Sequence, residues 1–123
     1  MHVIIGIDPH KASHTAVAVS DEEDELARLK IRATRTQVDT LLSWDAPFTS
    51  RTWAIEGAEG LGFLLAQQLV TAGETVVDVP ATLAARTRVL GAGRSNKNDP
   101  NDAMSVAVTA LRTCDLRRVR SVG

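Results

Sequence analysis

Four carboxylates in this chain fall where chemistry is possible: Asp8, Glu56, Asp99 and Asp102. Asp8 follows an apolar run, Val3 to Ile7, and Glu56 follows Trp53-Ala54-Ile55. Such runs of β-formers read as buried strands. If the two strands are parallel neighbours, their acids share one sheet edge, roughly one strand spacing of ~5 Å apart. Open α/β sheets bind ligands at that edge. Two acids so close repel unless a proton or a cation neutralises them. Asp99 and Asp102 are three residues apart, so on a helix they face the same way. The apolar stripe of that helix, Ala107, Val106 and Ala103, leads back to both. Four converging carboxylates suit hard divalent cations with oxygen ligands. Two such ions ~3.5–4 Å apart can clamp the attacking and leaving oxygens of a phosphodiester. Each acid also has a plain structural reading. Asp8-Pro9 can begin a turn, Glu56 can be solvated, and Asp99-Pro100-Asn101-Asp102 makes a good helix start.

The elements that must position these residues follow from periodicity. After the first strand comes Pro9 to Ser13, then Thr15 to Val19, a second strand closing a hairpin. An acidic turn spans Asp21 to Glu25, and Ala27, Leu29 and Ile31 then alternate with basic residues, marking a strand with one wet face. Thr36 can cap a helix with Val38, Leu41 and Leu42 on one side, ended by Pro47. A fourth strand ends at Glu56. Leu61, Leu64, Leu65 and Leu69 give a helical stripe that stops at Gly73, and Thr75 to Val79 is a fifth strand closed by Pro80. A short helix over Thr82 to Leu90 and a last helix from Asp99 complete the order β-β-β-α-β-α-β-α-α. That order is an α/β fold on a five-stranded mixed sheet. Its first three strands are antiparallel, its first strand is central, and its helices pack on it.

Three segments now bear comparison with a known family. Ile5-Gly6-Ile7-Asp8-Pro9-His10-Lys11, Ala54-Ile55-Glu56-Gly57 and Asn96 to Ala103 resemble, in order and spacing, the insertion-sequence transposases of the DEDD type. That family includes bridge-RNA-guided recombinases and a site-specific invertase, and its catalytic domain is like the Holliday-junction resolvases. The resemblance covers nearly the whole chain. It implies a ribonuclease H-like fold and a tetrad of Asp8, Glu56, Asp99 and Asp102 that binds magnesium, with manganese as substitute. It implies DNA as substrate, a guide RNA in some members, and homo-oligomers. It also implies that residues 1–112 are the catalytic domain and that 113–123 begin a linker to a C-terminal domain bearing a serine nucleophile. Ser105 and Ser121 lie in no matching motif and are not that serine.

Basic residues complete the expected site. Arg86, Arg88, Arg94 and Lys97 lie in a stretch from Arg86 to Asn98 that holds no acid. With Gly91 and Gly93 this reads as a loop that can hold phosphates, or as a solvated surface loop. Lys11, three residues after Asp8, can reach a phosphate or simply decorate the hairpin. His10 and His14 would bind zinc together only on a helix, and a hairpin is expected there. With 3% aromatic residues, a wall of stacked rings for single strands is not expected. A net charge of −1 means that nucleic acid must meet a local patch. The single Cys114 excludes an internal disulfide. The run Val3 to Ile7 is too short for a signal peptide, and no stretch approaches the ~20 apolar residues of a membrane span, so the expected location is the cytoplasm. Two rivals remain. One is an actin-like ATPase lobe, although Pro9, His10 and Lys11 replace the small residues its hairpin needs. The other is a nucleic-acid-binding or assembly module with structural acids.

Overall fold

The computed structural model describes residues 1–90 and 99–122, with the side chains of 90 and 99–101 left aside. The strands are β1 (Val3–Pro9), β2 (Ser13–Val19), β3 (Glu25–Arg32), β4 (Arg51–Glu56) and β5 (Val76–Val79). The helices are α1 (Gln37–Trp44), α2 (Phe63–Thr71), α3 (Ala81–Leu90) and α4 (Asp99–Arg112). The sheet runs β3-β2-β1-β4-β5. β1 pairs antiparallel with β2 and parallel with β4, and β3 and β5 form the edges. The fold is therefore the expected mixed α/β sheet with β1 in its middle. Every residue of β1 is buried, as a strand covered on both faces must be.

Alternation along the strands sorts two cores. Val3, Ile5 and Ile7 of β1 join Trp53 and Ile55 of β4 beneath α1 and α2, together with Leu65 and Leu69. Ile4 of β1, Val17 and Val19 of β2 and Ala54 of β4 face the other way, against Ala103, Val106 and Ala107 of α4. Gly6 belongs to this second face and lets α4 come very close. A Cβ on Gly6 would sit 2.7 Å from the Ala107 backbone nitrogen and would overlap the Ala103 carbonyl oxygen.

Several local expectations change. α1 ends at Trp44 rather than at Pro47, because Asp45 caps it with its N–H on the Leu41 carbonyl and turns inward to Arg51. In α2 the buried residues are Leu65, Ala66 and Leu69, while Leu61 and Leu64 are each 62% exposed. The helix starts only at Phe63, because Gly62 lies flat on the sheet where a side chain would strike Ile55. In the acidic turn, Glu23 takes two exposed 2.7 Å hydrogen bonds from Arg112 at the end of α4. After α4, Arg117 to Val119 pair with β5: Val119 N–H donates to the Val76 carbonyl at 2.8 Å and Asp78 N–H to the Arg117 carbonyl at 2.9 Å.

Far from Glu56, at the start of β4, Arg51 Nε lies 2.6 Å from Asp45 and 2.9 Å from Glu74. The Asp45 side chain is fully buried, and neither of its oxygens finds an aligned hydrogen bond among the described residues. Burial outweighs the pull of Arg51, and the carboxyl is pushed up to about 6 from 3.8. A raised acid gives its full stabilisation below its unfolded pKa and loses it as pH rises through the folded one. Asp45→Asn removes that loss. Its stability relative to wild type is expected to improve between pH 4 and pH 7, by up to about 3 kcal/mol. The difference is the quantity to follow, because His14, held low by burial, works in the opposite direction as pH falls. Urea melts of both proteins at the two pH values check it; a constant difference would mean that the carboxyl ionises freely.

Candidate active site

β1 and β4 deliver the first two acids. Their register pairs Gly6 with Ala54 and Ile7 with Ile55, so the next rung holds Asp8 and Glu56. Both share the parity of Ile4, Gly6 and Ala54, which is the face covered by α4. Asp8 lies inside β1 rather than after it, and is 6% exposed. Glu56 is half-buried and ends β4. Gly57, at φ +62°, then turns the chain away with a backbone conformation that favours glycine. The third acid comes from α4, whose first turn reaches the same sheet end because Gly6 admits the helix. Asp102 is half-buried. Asp99 opens α4, and its side chain lies outside the described residues.

Glu56 feels the charges of the groups around it. The Glu56 carboxyl is pushed above its ordinary value, first by burial and then by Asp8, with Asp102 adding to the effect. Arg88 and His10 act against this rise. Arg88 Nε of α3 stands 3.4 Å from Asp102, and His10 Nε2 stands 2.9 Å from Asp8. A 2.6 Å hydrogen bond between the Thr87 and Thr109 hydroxyls ties α3 to α4 next to Arg88. The cluster thus contains three described acids and two groups able to carry positive charge. Among the described residues no three His, Cys, Asp or Glu side chains are gathered tightly enough to enclose one ion.

The other expected site residues divide. Lys11 is exposed in the hairpin between β1 and β2. Arg86 and Arg88 lie on α3, the expected short helix before the Gly-rich stretch, and Arg88 turns to the acids. Arg94 and Lys97 lie outside the described residues. His10 and His14 do not converge: His10 meets Asp8, while His14 Nε2 is 3.0 Å from Gln37 Oε1. The partner of Asp8 was the residue missed. Its signal was nearness in sequence, two residues after Asp8 and just past the end of β1. Among the described residues, no helix is long and apolar enough to cross a membrane.

Comparison with known proteins bears on the family and the fold. A protein of insertion element IS116 from Streptomyces clavuligerus, described as uncharacterized, is 33% identical over 104 residues. The match takes in 84% of this chain and 26% of the relative, so the chain spans about a quarter of that relative's length. Among solved structures, T. thermophilus RuvC in complex with a Holliday junction substrate superposes with a TM-score of 0.70 at 15% identity, over 97% of this chain and all of that one. A second Thermus thermophilus RuvC structure gives 0.69 at 16% identity, over 95% and 99% of the two chains. Both likenesses concern the fold, which is ribonuclease H-like. The profile of the IS110-type DEDD transposases matches residues 5–122, and the chain belongs to that transposase family.

Proposed function

We propose that this chain is the metal-dependent catalytic domain of a DNA transposase or site-specific recombinase that cleaves and exchanges DNA strands. The observation that carries the reading is the convergence of Asp8 from β1, Glu56 from β4 and Asp102 from α4, close enough for the other two to raise the Glu56 carboxyl. Asp99, one helical turn before Asp102, completes the set. An all-oxygen donor set with excess negative charge fits magnesium, with manganese as substitute. When bound, such ions supply Lewis-acid activation at a phosphodiester. The chain's own part is to fix two donors on rigid central strands and two on a helix packed against them. Lys11, Arg86, Arg88, Arg94 and Lys97 are proposed to hold DNA phosphates, whose charge they complement.

The proposal extends to the whole protein. Residues 1–112 are the catalytic domain, and 113–123 lead towards a C-terminal domain that bears the serine nucleophile. The length of the IS116 relative supports that division. The DNA-bound RuvC neighbour supports DNA as partner. The proposed assembly is a cytoplasmic homo-oligomer, with a guide RNA as a further candidate partner.

A second reading has its own support. Asp8 and Asp102 already face His10 and Arg88, as they would in a nucleic-acid-binding module whose acids are structural. Calorimetric titration with manganese separates the two. Wild type is expected to bind, and Asp8→Ala and Glu56→Ala are expected to lose binding while keeping the fold. An unchanged isotherm in both variants would sink the active-site assignment.

A further inference from the structure

Beyond the carboxylates, the same end of the sheet carries a second concavity on its opposite face. It lies between the β1–β2 hairpin, the β3–α1 connection and the start of α2, and has a volume of about 450 Å³. That falls within the ~300–1,000 Å³ usual for ligand sites. Its lining includes Lys11, Arg35 and His10, and no acid. Leu61 and Leu64, both 62% exposed, supply an apolar wall that the core does not use.

One residue of this lining, His14, holds an unsatisfied polar atom just beneath the surface. His14 is only 4% exposed, and its Nδ1 is buried without a hydrogen-bond partner among the described residues. Gln37 fixes which proton state the ring takes. The Gln37 amide nitrogen donates to Gln68 Oε1 at 2.7 Å, so its own Oε1 accepts from His14 Nε2. The neutral imidazole then carries its proton on Nε2, and Nδ1 is an acceptor. A buried acceptor left unmade costs roughly 1–3 kcal/mol, and a donor from a bound molecule removes that cost.

The site therefore combines cations at its mouth, an apolar wall and a buried acceptor. A nucleotide has the matching parts: a phosphate, a flat base with apolar faces, and amine N–H groups on the base edge. From this match we infer that the cavity takes one unpaired nucleotide of a DNA strand, its phosphate on Lys11 and Arg35 and its base between Leu61, Leu64 and His14. The inference rests on the reading that the chain acts on DNA. Because His10 both lines the cavity and meets Asp8, a strand passing over the hairpin would be held here on one face of the sheet and presented to the carboxylates on the other. Adenine, cytosine and guanine carry the exocyclic amine that Nδ1 would accept; thymine offers only its ring N–H.

The test is an NMR titration of the chain with a deoxyadenosine tetranucleotide, deoxyadenosine 5′-monophosphate and inorganic phosphate, all without metal. The tetranucleotide is expected to shift the His14 ring, the Gln37 and Gln68 amides and the Leu61 and Leu64 methyls. It should bind at least tenfold tighter than the mononucleotide, and Arg35→Glu should weaken it at least tenfold. Inorganic phosphate should leave the leucine methyls in place. Equal affinity for the mononucleotide would make this a free-nucleotide site and overturn the strand assignment. Shifts reproduced by phosphate, shifts confined to Lys11 and Arg35, or no shifts would overturn the nucleotide site itself. Glu56→Ala, which does not line the cavity, is expected to leave these shifts intact while it abolishes manganese binding, so failure of the cavity and failure of the metal site are read independently.

Discussion

Gly6→Ala is expected to lower the melting temperature by roughly 10 °C or more, which corresponds to about 3 kcal/mol in a domain of this size. The added carbon would lie 2.7 Å from the Ala107 nitrogen and 2.9 Å from the Ala107 Cβ, and would overlap the Ala103 carbonyl. Two of these three atoms are helix backbone, so no side-chain rotation relieves the contact. Overpacking in a core costs ~1–3 kcal/mol when side chains can adjust, and here a whole helix must move instead. The helix in question is α4, whose Ala103, Val106 and Ala107 are completely buried against β1, β2 and β4. Lifting it thins that core and carries Asp102 away from Glu56. Calorimetric melting of the variant checks the claim, and manganese binding should weaken alongside it. A variant that melts within ~2 °C of wild type, well below the shift expected of a 1 kcal/mol change, would show that α4 does not press on β1 in this way.

The role of Gly6 was visible in the sequence only as part of a motif, and the reason lies in distance. Continuous apolar runs such as Val3 to Ile7 announce a central strand, because burial on both faces leaves no polar position. The change of period at α1, α2 and α4 likewise announces helices, and the order of elements follows. Periodicity does not say where a helix begins, however. Leu61 and Leu64 fit a stripe with Leu65 and Leu69, yet α2 starts at Phe63 and turns Leu64 outward. That start is set by Gly62 lying against Ile55, a contact between elements that no local pattern encodes. The candidate site divides in the same way. Asp8 and Glu56 were legible because strand parity and register are arithmetic. The approach of Arg88 to Asp102 was not, because it depends on how α3 lies against α4, which the Thr87–Thr109 hydroxyl pair helps to set.

Glu56→Gln should separate stability from activity more sharply than any other change at this site. Glu56 is an acid held in a half-buried place beside Asp8, and burial and that neighbour both raise its carboxyl. A raised acid gives full stability below its unfolded pKa and loses it as pH rises through the folded one. At pH 7 in the presence of chelator the neutral amide avoids that loss, so the variant is expected to melt higher than wild type. At pH 4, where the acid is itself largely protonated, the advantage should shrink. Activity should move the other way. Loss of a partner that merely supports a metal ligand already costs ~10–100-fold, so replacement of a proposed ligand is expected to reduce the proposed metal-supported DNA cleavage by more than about 100-fold. A structural acid predicts the opposite pairing, with stability lost and cleavage little changed. Melting in chelator and strand-cleavage rates in magnesium, measured on the same variant, therefore decide whether the repulsion at Glu56 is a defect of packing or the price of a cation site.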